Sequence, residues 1–229
     1  MAEEMEEGTE TISSTLMHHF RYMGQYNKHC TQRLLKFLRK HMVGSEDDKL
    51  KDIYRKDIRL FFRSIHGTLN HLLGAEQLWY SRIAGEAMPV GVCPLYGLEG
   101  EDLGKAWEER VPDCDELFAS LTDQCNAWNR LLFDKDDSWC METITYIDTE
   151  GFPTKLVRCA GLSQAFNHGT HHRGQISAGI HQLGLKCPSF DLQTMKNQFA
   201  DYTLKDEGYR VVKEGRYTVL TTPRKKGGE

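Results

Sequence analysis

Leu16, Phe20, Met23, Asn27, Leu34, Phe37 and Leu38 recur at three-to-four-residue spacing, so the pattern predicts an amphipathic helix over residues 12–42. Thr11 or Ser13 can cap its start and Gly44 can end it. A second periodic segment covers 50–84, with Ile58, Phe61, Phe62, Ile65, Leu69, Leu72, Trp79 and Ile83 on its apolar side. Asp57 is expected to start a new helix after a short break. The stretch EAMPVGVCPLYGLEG (86–100) is rich in Gly and Pro and reads as a connection, long enough to serve as a lid. Leu117, Leu121, Trp128 and Leu131 place a third helix over 113–134. Residues 141–159 alternate β-branched and polar side chains on either side of DTEG, which predicts a β-hairpin. A fourth long helix is expected over 161–183, ended by Gly184. Beyond Pro188 the chain reads as irregular, with a short helix over 190–199 and an extended polar tail.

Four long amphipathic helices predict an all-α fold, an antiparallel four-helix bundle with a small β-hairpin before the last long helix. No Ser- or Pro-rich linker divides the chain. The expected organisation is an acidic extension over 1–11, one bundle domain over 12–199 and a polar extension over 200–229.

Composition narrows the function classes. Hydrophobic residues make up 39% and charged residues 27% of the 229, which suits a globular protein able to bury its own core. A net charge of −4 gives no basic field for nucleic acid, so none is expected as a partner. The basic run in TPRKKGGE (222–229) reads as a solvated end. No stretch approaches the ~18 apolar residues of a membrane span, and the acidic start is unlike a secretory or mitochondrial leader. The seven cysteines form no C-x-x-C pair, so reduced thiols and a cytoplasmic location are expected.

Three of the ten histidines crowd into NHGTHHRGQ (167–175). On a helix His168 and His172 are one turn apart and point the same way, along a stripe with Ala165, Gly169 and Ile176. Two imidazoles so placed can share a metal ion, although the Glu of H-E-x-x-H is missing. A wet helix face with no metal is the bland alternative. Spacing alone also allows a His168/His171 pair. A third ligand would come from His66 or His71, from His18, His19, His29 or His41, or from His181. Trp79 and Trp128 read as core residues.

LNHLLGAEQLW (69–79), followed by FNHGTHHRGQI (166–176), resembles the DinB family of metal-binding four-helix proteins. YNKHCTQRLL (26–35), the hairpin with DTEG and LGLKCPSFDL (183–192) extend the likeness across roughly 15–195. His29 stands where an aromatic residue is common in the family, and Cys187 where a proline is. The resemblance implies three ligands, His71, His168 and His172, with His171 as a non-ligand neighbour. It further implies a divalent metal, zinc or nickel with manganese as a third option, and a glutathione-like low-molecular-weight thiol as co-substrate. The expected activity is thiol S-transfer to an electrophilic substrate, with His171 and Tyr26 as catalytic candidates and Asn27, Arg173 and Gln175 as substrate contacts. The alternative is a non-catalytic, stress-related metal-binding or dimerisation module. No membrane partner is expected, and the assembly is expected to be a monomer or homodimer.

Overall fold

The computed structural model describes residues 16–87, 90–195, 210–214 and 217–221. The expected extension over 1–11, the basic end at 222–229 and the last residues of the expected helix over 190–199 lie outside them. The chain divides into two compact units, Met1–Pro188 and Ser189–Glu229. In the first unit the elements follow as α1 (Leu16–Leu38), α2 (Asp48–Arg55), α3 (Ile65–Ala84), α4 (Gly100–Glu109), α5 (Cys114–Leu132), α6 (Asp137–Met141), β1 (Thr143–Ile147), β2 (Pro153–Val157) and α7 (Arg158–Gln182). The second unit contains a 3-10 turn at Leu192–Met195 and a hairpin of β3 (Arg210–Glu214) and β4 (Tyr217–Thr221). Among the described residues no helix is long and apolar enough to cross a membrane.

The long helices α1, α3, α5 and α7 form the expected bundle, and each of α1 and α3 packs against both α5 and α7. Arg21 Nε donates to the Leu132 carbonyl at 3.0 Å while Arg39 pairs with Asp115 at 2.6 Å, so α1 and α5 are antiparallel. Ile83 lies against Gly161 and His71 against His168, so α3 and α7 are antiparallel too. Gly24 meets Phe166 and Thr31 meets Arg173, so α1 and α7 run the same way. It follows that α3 and α5, consecutive in the bundle, are parallel. A tight turn cannot join parallel neighbours, so the chain must return along the bundle between them. The expected connection over 86–100 begins that return with a 3-10 turn at Cys93–Gly97, and α4, which the apolar pattern had not revealed, completes it. Asn70 fastens the end of α4 to α3. Its Nδ2 donates to the Val111 carbonyl at 3.2 Å, and its Oδ1 accepts from the Val111 N–H at 3.0 Å.

The helix expected to restart near Asp57 begins later. Arg59 and Arg63 have φ of 61° and 66°, and Asp57 accepts from the Arg59 N–H at 2.9 Å, which holds a non-helical turn. Ser64 then caps α3, its hydroxyl accepting from the Gly67 N–H at 3.0 Å. The turn leaves Phe61 70% exposed while Phe62 is buried. At the other end of the chain order, the hairpin pairs Thr143 with Val157 and Ile147 with Pro153, and Asp148 shapes its turn by accepting from Phe152 N–H at 2.8 Å. α7 starts directly from β2 at Arg158, three residues before the expected Gly161.

Trp128, Phe20, Leu162 and Phe166 form the centre of one core, with Trp79 packed partly buried against it. Phe62, Leu78, Val92 and Trp107 form a second core between α3 and the returning chain. Gly74 makes the second core feasible, because a Cβ there would lie 2.6 Å from the buried Trp107 ring. Gly74→Ala should therefore overpack this contact and lower stability by about 1–3 kcal/mol. Urea denaturation is the check, with the midpoint expected to fall at an unchanged slope.

His66, one of the residues considered as a third ligand, is buried at the start of α3 with Nδ1 3.0 Å from the Tyr54 hydroxyl. Burial, reinforced by the Arg55 charge, lowers its pKa from 6.5 to about 4. Between these values the unfolded chain takes up a proton that the folded chain refuses. The stabilisation is complete above pH 6.5 and is lost as pH falls towards 4. Metal-free protein should thus have a lower urea midpoint at pH 5 than at pH 7.5, and His66→Gln should reduce that difference.

Candidate metal centre

Two antiparallel helices bring the chemistry together. His71 comes from the middle of α3, and His168 and His172 come from successive turns of α7. His168 Nε2 lies 3.1 Å from His172 Nε2 and 3.3 Å from His71 Nε2. One ligand atom from each of the three residues falls within 4.8 Å of the others. Two nitrogens bound to zinc at ~2.05 Å and a tetrahedral angle are ~3.3 Å apart, so the spacing suits a common ion.

The electrostatics suit it as well. Burial, followed by the neighbouring imidazoles, lowers the pKa of His71 to about 2 and that of His168 to about 3. Burial lowers His172 to about 4, opposed by its bond to Gln175. All three rings are neutral at physiological pH, the form that ligates metal. His71 and His172 are each 5% exposed, whereas His168 is half-buried, so the cluster reaches solvent on the His168 side.

The surroundings hold each ring differently. His172 Nδ1 lies 2.8 Å from Gln175 Oε1. His71 Nδ1 is buried without a hydrogen-bond partner among the described residues, and packing fixes that ring instead. Phe62 stacks on it at 3.8 Å and 18°, and Trp107 meets it edge-on at 4.8 Å. Tyr96, from the returning chain, approaches to 5.8 Å. Phe62 was marked by its apolar spacing, nine residues before His71, whereas Tyr96 and Trp107 belong to a 3-10 turn and a short helix that the apolar pattern did not mark.

The remaining candidates fall into two groups. His171 is exposed on α7, with Nε2 3.0 Å from Gln175 Nε2. Tyr26, Asn27 and Arg173, expected as catalytic or substrate contacts, are buried inside the bundle. Arg173 Nη1 donates to Asn27 Oδ1 at 2.5 Å, and Asn27 Nδ2 donates to Glu76 Oε1 at 3.0 Å. The Arg173 guanidinium also lies 5.8 Å over the Tyr26 ring. Burial raises the Glu76 carboxyl pKa, opposed by the Asn27 bond and the Arg173 charge. The three side chains tie α7, α1 and α3 together one residue from His172. Gly169 provides the space, since a Cβ there would lie 2.9 Å from Asn27 Oδ1. Glu76 escaped the sequence reading, although an acid within the apolar run LLGAEQLW was a visible signal.

The sequence model of the DinB family matches residues 46–203. The chain belongs to the DinB family. All three clustered histidines lie within the matched span, while α1, with Tyr26 and Asn27, precedes it. Among curated proteins, this DinB-family chain is 25% identical over 134 residues to "Protein DinB" of Bacillus subtilis (strain 168), covering 58% of this chain and 73% of that protein. No solved structure matches at comparable significance.

His71→Ala, His168→Ala and His172→Ala should each weaken binding of a divalent ion by orders of magnitude, because two ligands leave the shell incomplete. His171→Ala should leave affinity close to that of the unaltered chain. Chelator competition on the four variants, with circular dichroism as the folding control, separates the two groups.

Proposed function

We propose that this DinB-family chain is a divalent-metal-dependent enzyme that transfers a low-molecular-weight thiol to an electrophilic acceptor. The convergence of three neutral Nε2 atoms at 3.1 and 3.3 Å supports the reading most directly. A divalent ion held there by three uncharged ligands keeps its full charge and supplies a Lewis acid that makes a thiol or water nucleophilic at neutral pH. Zinc and nickel suit imidazole donors, with manganese a weaker match.

The chain's own groups divide the remaining work. His71, His168 and His172 hold the ion. Phe62 and Trp107 fix His71 and keep water from its face. Asn27 and Arg173 position α7 from within the bundle, so they act without touching a ligand. His168, the most accessible of the three, marks the side from which the thiol and acceptor arrive. In the reaction the thiol sulfur bonds to the acceptor carbon, the leaving group departs with its bonding pair, and the thiol proton passes to solvent.

Protein purified without added metal or a histidine tag should contain one divalent ion per chain by elemental analysis. It should then convert a generic halogenated aromatic in the presence of glutathione or cysteine, and lose that activity on chelation and regain it with zinc or nickel. Metal content with no turnover of any thiol–electrophile pair would favour the non-catalytic module. Absence of metal, with refusal of added zinc, nickel and manganese, would remove both.

A further inference from the structure

Gln175 stands between two histidines that have different surroundings. Its Oε1 lies 2.8 Å from His172 Nδ1, and its Nε2 lies 3.0 Å from His171 Nε2. One residue reaches both because it follows His172 by three positions and His171 by four, which are the two neighbouring spacings on a helix surface. Gln175 is half-buried, and its bond to His172 is partly screened from water while its bond to the exposed His171 is open to it.

The two ends of a carboxamide do opposite things. Its oxygen only accepts and its NH2 only donates. The oxygen end therefore requires a proton on His172 Nδ1, which leaves the lone pair of the neutral ring on Nε2. That atom is the one 3.1 Å from His168 Nε2. The NH2 end requires a lone pair on His171 Nε2, which puts the proton of that neutral ring on Nδ1. A reversed amide would reverse both assignments. His172 would then carry its proton on Nε2, between the other two donors, and exclude an ion.

We propose that Gln175 is a positioning residue that locks two neutral tautomers at once. It holds His172 in the Nδ1–H form, which offers Nε2 to a metal ion. It also holds His171 in the Nδ1–H form, with Nε2 already engaged. The purpose of the lock rests on the metal reading above, but its hydrogen bonds do not. The lock also explains why adjacent histidines play different parts. His172 presents a lone pair to the cluster, while the free nitrogen of His171 carries a proton and can only donate.

Two-bond 1H–15N correlation spectra of metal-free, 15N-labelled protein at pH 8 report histidine tautomers directly. His171 and His172 should both appear as Nδ1–H, although an isolated neutral histidine favours Nε2–H. Gln175→Leu removes both partners at similar size. Both rings should then shift towards Nε2–H, and zinc affinity by chelator competition should fall about 10–100-fold. Gln175→Glu still accepts from His172 Nδ1 but has no N–H for His171. It should restore zinc affinity while His171 moves to Nε2–H. A side chain that only packs would move neither tautomer, and Leu and Glu variants would then behave alike. His171 found as Nε2–H in the unaltered protein overturns the proposal without any variant. So does a folded Gln175→Leu protein with unchanged spectra and zinc affinity. Should the unaltered chain show both tautomers as stated yet bind no metal, the proposed function fails and the lock stands.

Discussion

Three imidazole nitrogens in a largely buried cluster impose the main constraint on this molecule. With His172 Nδ1 bonded to an oxygen, its Nε2 presents a lone pair to His168 Nε2 at 3.1 Å, and His71 Nε2 stands 3.3 Å away on the other side. Neutral rings so placed satisfy one another only in part, because His168 Nε2 has either one N–H or one lone pair to share between its two neighbours. Protonation is opposed by burial and by the adjoining rings. A cation shared by the three rings would remove the conflict.

Much of the bundle serves to keep those nitrogens together. α3 and α7 must approach closely along the whole of their contact, and the side chains that enforce this are polar as well as apolar. The buried chain from Arg173 through Asn27 to Glu76 joins three helices directly behind the cluster. Removing one member of such a set leaves buried polar groups without their partners, which is costly. On the other side, Phe62 and Trp107 clamp the His71 ring, whose Nδ1 has no acceptor among the described residues to orient it. His172 is held by a hydrogen bond and His71 by surfaces.

The sequence disclosed the bundle and the hairpin because their signals are local. Apolar spacing marks α1, α5 and α7, and Asp148 with Gly151 marks the turn between β1 and β2. His168 and His172 were legible because one helix carries both. His71 was not separable from six other histidines by spacing, and only the resemblance of LNHLLGAEQLW to a family singled it out. Three features were hidden for physical reasons. The start of α3 depends on a Ser64 cap and on positive φ at two arginines, which periodicity does not register. The helix α4 carries few apolar residues, because it packs on one narrow face. The burial of Tyr26, Asn27 and Arg173 arises from partners on three helices, and polar residues on a helix otherwise read as solvated.

The packing of α7 against α1 and α3 also has a consequence for the order in which the molecule is made. His71 and His168 are 97 residues apart, and Asn27 and Arg173 are 146 apart. Closing loops of that size is entropically costly and cannot begin until α7 exists. The hairpin and each single helix can form early from local contacts, whereas the metal cluster and the polar chain behind it must come late. A nascent chain halted before α7 holds one of the three imidazoles, so capture of an ion would coincide with completion of the fold.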